Sequence, residues 1–343
     1  MTHSLTGRDT PQAVLVLLAV FLVSCGGEHT MATENTAASG RALPDSVVDV
    51  NTRPLAATNP ALAWFDTAGH RTARQIEPID IAGHASSAGK IVFLSIGMSN
   101  ADQEFCGASS ADQCNPWTFE ALVKADRTKN PALVLVNGAA SGQMANTWIT
   151  PAAANYDHVK ARLAAVGLTE KQVQVIWLKV ANGNPTIALP SPNADAYELE
   201  RNLGDIVRSV RLRYPSLRQI YVSSRSYAGY ANVPLNPEPY AFQSGFSVGW
   251  LVLAQVHQMS NGTVDPVAGD LSAPLTAPWI SWGPYLWANG SNPRGDGLTW
   301  LPSDFEADGT HPSPSGEAKV GQLLFNYFRT SPYASCWYFG QKC

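Results

Sequence analysis

The stretch "KIVFLSIGMSNADQEF" (residues 90–105) decides the fold. Residues 90–97 place apolar side chains at odd and even positions alike: Ile91, Val92, Phe93, Leu94 and Ile96. A strand with one wet face would alternate, so this one is covered on both sides, as strands of parallel sheets are. Gly97 ends the run and puts Ser99 on a strand-to-helix loop.

Three more runs have the same character: "PALVLVNGA" (131–139), "QVQVIWLKVA" (172–181) and "RQIYVSSRSYA" (218–228). Between the four runs lie helical patterns at 117–126, 154–167 and 195–215. In the last, Leu199, Leu203, Ile206, Val210 and Leu212 form a helical stripe that Pro215 ends. Strand and helix alternate, which implies right-handed crossovers and a three-layer α/β/α fold on a parallel sheet. Beyond Tyr230 a helix is expected over 240–262, with Gly262 as its stop signal, then a long aromatic, turn-rich stretch whose one strand candidate lies around 282–287. A final helix over 315–328 carries Val320, Leu323, Leu324, Tyr327 and Phe328 on one face. There is no internal repeat, so residues 51–343 are expected to form a single domain.

The amino-terminal residues read differently. Residues 13–23 are an unbroken apolar run of eleven, shorter than the roughly 20 a membrane-spanning helix needs, and they follow Arg8. The run ends Leu22-Val23-Ser24-Cys25, which resembles a bacterial lipobox. Residues 1–25 are then a lipoprotein signal with Cys25 as the acylated anchor, and residues 26–50 a flexible tether. The alternative is an ordinary secretory signal with an incidental cysteine. Either way the chain is expected to be exported, and an anchored one faces the periplasm or the cell surface. Removing Cys25 from five cysteines leaves Cys106 near Cys114 and Cys336 near Cys343. In an oxidising compartment these form two local disulfides. The spacings match no zinc-binding pattern, so no metal and no cofactor is expected. A net charge of -4 with no basic run argues against nucleic acid as a partner.

In open α/β sheets, ligands bind beyond the carboxyl ends of the strands. Polar residues follow the strands there: Ser99 after the first, Gly142 in "GAASG" after the second, and Asn182 and Asn184 in "ANGNP" after the third. Asp308 and His311 of "DGTHPSPSG" come just before the last helix. Each type has work to do in acyl transfer. A serine hydroxyl needs a histidine to take its proton, and the histidine needs a carboxylate to fix its tautomer. The backbone N–H groups of Ser99 and Gly142, with an asparagine amide, can stabilise the oxyanion. Asn182 or Asn184 can supply that amide, and strand length favours Asn182. The bland alternatives are a serine capping a helix and an aspartate closing a turn.

The Ser, Gly, Asn and His blocks, in this chain order, resemble those of the SGNH (GDSL-type) hydrolases, over about residues 90–328. "GMSN" is similar to the G-Q-S-N form of the sialate O-acetylesterase-like branch, with Met98 at the second place. The resemblance implies a flavodoxin-like fold and a serine esterase with Ser99 as nucleophile and Asp308 and His311 as base pair. Ser99, Gly142 and Asn182 (or Asn184) would be its oxyanion donors. The expected substrate is a carboxylic ester, with acetylated carbohydrate favoured. Arg225, Tyr227, Trp282 and Trp287 are candidate substrate-binding residues, the tryptophans being equally open to core packing. The other readings are a lipase or aryl esterase, and a surface-anchored glycan-binding lipoprotein with a degenerate esterase fold.

Overall fold

The computed structural model describes residues 60–107 and 113–343. The signal, Cys25 and the tether lie outside the described residues. Five strands make one wholly parallel sheet: β1 (Ile91–Gly97), β2 (Leu133–Asn137), β3 (Val173–Lys179), β4 (Gln219–Val222) and β5 (Trp279–Trp282), in the order β2-β1-β3-β4-β5. Every residue of β1, β3, β4 and β5 is buried, as apolar residues on both faces lead one to expect. The helices are α1 (Pro60–Arg74), α2 (Ser99–Phe105), α3 (Phe119–Ala125), α4 (Ala154–Ala165), α5 (Asp195–Arg213), α6 (Tyr240–Asn261), α7 (Pro314–Thr330) and α8 (Ser335–Phe339). The expected three-layer α/β/α class is what the chain adopts.

Strand pleating divides the core into two different layers, because successive side chains point to opposite faces. One face carries Phe93, Trp177, Tyr221 and Trp279. Phe93 meets Phe105, Phe119, Phe328 and Trp337 edge-on, with ring centroids 6.0, 5.6, 4.7 and 5.9 Å away. This aromatic layer binds α2, α3, α7 and α8 to the sheet. The alternate residues, Leu94, Ile176, Ile220 and Ile280, are aliphatic and wholly buried.

Gly97 sets the angle at which β1 becomes α2. A Cβ there would fall on the carbonyl oxygen of Lys179 and the methyl of Ala101. Only a residue without a side chain lets α2 begin directly against the end of β3.

Several boundaries differ from the sequence reading. The fourth strand stops at Val222 instead of reaching 228. Ser223 still donates its N–H to the Leu178 carbonyl at 3.0 Å, and its hydroxyl donates to the Pro284 carbonyl and accepts from the Trp177 indole. The fifth strand is 279–282, not 282–287, and the Gly283 N–H to the Val222 carbonyl at 2.9 Å follows its last paired residue. The helix Pro60–Arg74 has no counterpart in the sequence reading. Its Thr67, Gly69 and Thr72 weaken helix propensity, and tertiary contacts compensate. Phe65 lies 5.0 Å from the Trp279 ring, and Asp66 accepts the Tyr333 hydroxyl at 2.7 Å.

Both local disulfides are formed, Cys106 with Cys114 and Cys336 with Cys343. Among the described residues, Cys106, Cys114 and Glu120 cluster closely enough to suggest a metal site. The two sulfurs are bonded to each other and offer no thiolate.

Gly97→Ala should cost about 3 kcal/mol, the upper end for overpacking, because the obstacle is backbone. Urea unfolding measures this, and a loss below about 1 kcal/mol would mean that α2 shifts freely on the sheet.

Candidate active site

Loops after the carboxyl ends of the strands form the site. Ser99 is the first residue of α2, and its hydroxyl makes no capping bond, since Met98 occupies the cap position in extended conformation. The Ser99 Oγ lies 2.8 Å from His311 Nε2. On the other side of the ring, His311 Nδ1 lies 2.5 Å from Asp308 Oδ2. The three side chains thus form one hydrogen-bonded chain, although 212 residues separate its first pair.

Asp308 serves two purposes at once. Its Oδ1 accepts the backbone N–H groups of Thr310 and His311, each at 2.9 Å, closing the turn, while Oδ2 faces the ring. Partial burial works against the ionised form. The hydrogen bonds from the His311 ring and the two backbone groups outweigh it and hold the carboxyl below the usual carboxylate range. The turn passes through Gly309 at φ 66°, where a Cβ would strike the Tyr230 carbonyl. Glycine is required there twice over, by conformation and by space. The Asp308 carbonyl accepts the Asn232 N–H at 3.0 Å, so the base loop is tied to the loop that follows β4.

The other expected residues divide. Gly142 sits exposed on the loop after β2, at φ 75°. That loop is held to its neighbours by Ala140 N–H to the Gly97 carbonyl at 3.2 Å and Ala145 N–H to the Ala181 carbonyl at 3.0 Å. Asn182 is at the carboxyl edge as expected. One amide proton goes to the Asp195 carbonyl at 3.3 Å, and its oxygen accepts Asn202 at 3.0 Å. Asn184 is exposed, in left-handed conformation at φ 51°.

Two expectations need correction. Arg225 is not on the rim and is 1% exposed. Its guanidinium donates to Asn100 Oδ1 at 2.7 Å, so in this position it cannot meet a substrate carboxylate. Trp282 is 4% exposed and packs at 5.9 Å against Tyr285, a core residue whose burial follows from its place in β5. Tyr227 and Trp287 are half-buried, with rings 6.3 Å apart, and Trp287 donates to Glu238 at 2.9 Å. Tyr230 and Phe242 extend this cluster, at 5.1 Å from Tyr227 and 4.7 Å from Trp287.

A buried polar framework beneath the site escapes the sequence reading. Lys179, the last residue of β3, is bonded to Glu104 of α2, and both are 1% exposed. Burial penalises both charges, pushing the Glu104 carboxyl up and the Lys179 ammonium down to about 8. Asn137, the last residue of β2, accepts the Ser95 hydroxyl at 2.7 Å and donates to Asp102 Oδ1 at 2.7 Å. The one available signal was a polar residue closing an otherwise apolar strand, as Asn137 and Lys179 both do.

No family model matches this chain, and no curated protein does. Among solved structures it is similar to a GDSL-like lipase from Parabacteroides merdae, at 13% identity and TM-score 0.37, over 69% of this chain and 95% of that one. It is similar to phospholipase A1 from Streptomyces albidoflavus at 15% identity and TM-score 0.32, over 69% of this chain and 98% of that one. A carbohydrate esterase family 2 enzyme with a carbohydrate-binding domain, from Corynascus thermopiles, matches at 10% identity and TM-score 0.38, over 72% and 68%. Likenesses this distant carry no argument about chemistry, which has to come from the side chains themselves.

The Asp308–His311 bond should produce a downfield Nδ1 proton resonance. That signal should vanish in Asp308→Asn, and its persistence there would mean that another acceptor holds the ring.

Proposed function

We propose that the protein is a serine esterase that cleaves carboxylic esters through an acyl-Ser99 intermediate. The observation that carries this reading is the unbroken bond chain from Ser99 Oγ through His311 to Asp308. His311 Nε2 takes the hydroxyl proton as Ser99 Oγ attacks the ester carbonyl carbon, and Asp308 steadies the imidazolium that forms. The same proton passes to the alkoxide as the tetrahedral intermediate collapses. Water, deprotonated by His311, then attacks the acyl-enzyme and releases the acid. The backbone N–H groups of Ser99 and Gly142 are assigned to the oxyanion, together with the amide proton of Asn182 that does not bond Asp195.

O-acetylated carbohydrate is the proposed substrate class. Support comes from the half-buried rings of Tyr227, Tyr230 and Trp287 beside the base loop, since sugar rings stack on such faces. We further propose export, with Cys25 as a lipid anchor. The two disulfides fit an oxidising compartment.

A serine-reactive fluorophosphonate should label the wild type within residues 97–103 and leave Ser99→Ala unlabelled. An ester panel should rank acetylated sugars above phospholipids and long-chain aryl esters. A preference for phospholipid would replace the carbohydrate reading with that of a lipase, and labelling at a different serine would move the nucleophile. Asn182→Ala should lower kcat by about 10²–10³ with little change in KM, and Asn184→Ala by much less. The reverse ranking would give the oxyanion role to Asn184.

A further inference from the structure

Asn100 follows the proposed nucleophile directly, yet its side chain is 1% exposed and turns inward. Its Nδ2 donates to the Thr310 carbonyl at 2.8 Å, and its Oδ1 accepts Arg225 Nη1 at 2.7 Å. The two partners fix the amide independently. A guanidinium can only donate and a carbonyl can only accept, so both dictate the same orientation of the Asn100 amide. Thr310 is the residue before His311, so the amide clamps the start of α2 to the base loop at the point where Ser99 and His311 must meet.

Arg225 is an expensive way to hold that amide. It is wholly buried, burial disfavours its charge, and its Nε has no hydrogen-bond partner among the described residues. The carboxylates of Glu104, Glu238 and Asp308 partly offset this through space. A buried guanidinium with an idle donor contributes little net stability. Its backbone N–H is anchored to the Ser244 hydroxyl at 3.1 Å, which brings α6 into the support.

We infer that Asn100 and Arg225 are a positioning pair: Arg225 orients the Asn100 amide, and that amide holds the Thr310 carbonyl so that His311 Nε2 stays within reach of Ser99 Oγ. The inference rests on the reading of Ser99, His311 and Asp308 as a triad. Asn100→Asp keeps the size and the acceptor for Arg225, but it turns the donor facing Thr310 into an oxygen. Arg225→Met removes one of the two groups that orient the amide, so the Thr310 carbonyl alone then holds Asn100.

The test measures kcat and KM for p-nitrophenyl acetate, with active sites counted by fluorophosphonate titration and folding followed by thermal melts. Asn100→Asp and Arg225→Met should each lower kcat per titrated site by about 10²-fold with KM nearly unchanged, the scale of a misplacement near 1 Å. Arg225→Lys, which keeps a donor, should recover part of the loss. An Asn100→Ala/Arg225→Met double variant should be no slower than the slower of Asn100→Ala and Arg225→Met alone, because both break one linkage. A purely structural role would lower the melting temperature and the titratable fraction while leaving kcat per site intact, and that result overturns the inference. Should Arg225→Met fail to fold, Asn100→Asp decides alone. Absence of label on wild-type Ser99 would overturn the triad reading, and the pair with it. Label on Ser99 with an unchanged kcat in Asn100→Asp would overturn the pair only.

Discussion

The bond between Ser99 Oγ and His311 Nε2 joins the first strand-to-helix junction to a loop near the carboxyl end of the chain. Neither residue can make it alone. Ser99 depends on Gly97, whose missing side chain lets α2 start against the Lys179 carbonyl. His311 depends on a turn closed by Asp308 and bent at Gly309 against the Tyr230 backbone. Sheet register, one tight glycine junction and one tight glycine turn therefore converge on a single 2.8 Å contact. Preorganisation of this kind is what makes a hydroxyl, an imidazole and a carboxylate act as one unit.

Beneath that contact the interior is more polar than stability alone would favour. Asn100, Glu104, Lys179 and Arg225 are all 1% exposed, and Asn137 is nearly as deeply buried. Buried ion pairs regain through their attraction only part of what desolvation costs, and apolar replacements are often as stable or more so. The polar residues nonetheless sit at the ends of β2 and β3, beyond β4 and along α2, where they tie strand ends and the loop after β4 to the nucleophile helix. The aromatic layer around Phe93 supplies apolar burial on the same side of the sheet, with four edge-on ring contacts. Strength and placement thus come from different residues.

The strands were the most legible feature, because a doubly covered strand carries apolar residues on both faces. β1, β2 and β3 fall inside their expected ranges, as do the disulfide pairs, whose partners lie close in sequence. The triad was legible as residue types at strand ends, and its geometry then came from the fold. Pro60–Arg74 was hidden because its helix is held by Phe65 and Asp66 contacts with the distant Trp279 and Tyr333. Arg225 was misplaced on the rim because the early end of β4 at Val222 turns the following residues inward. Trp282 was open to both substrate stacking and core packing, and its place as the last residue of β5 makes it core. Long-range packing decides such matters, and no local pattern encodes it.

Transfer of the acyl group to Ser99 during turnover is the central event in this chemistry. Rapid acid quenching of the wild-type protein with p-nitrophenyl acetate, followed by peptide mass spectrometry, addresses this. The mass of one acetyl group should appear on the peptide spanning residues 97–103, build up within the first turnover and be absent from Ser99→Ala. Steady hydrolysis with no acetyl on that peptide, or acetyl on a different residue that survives the Ser99→Ala substitution, would contradict the account.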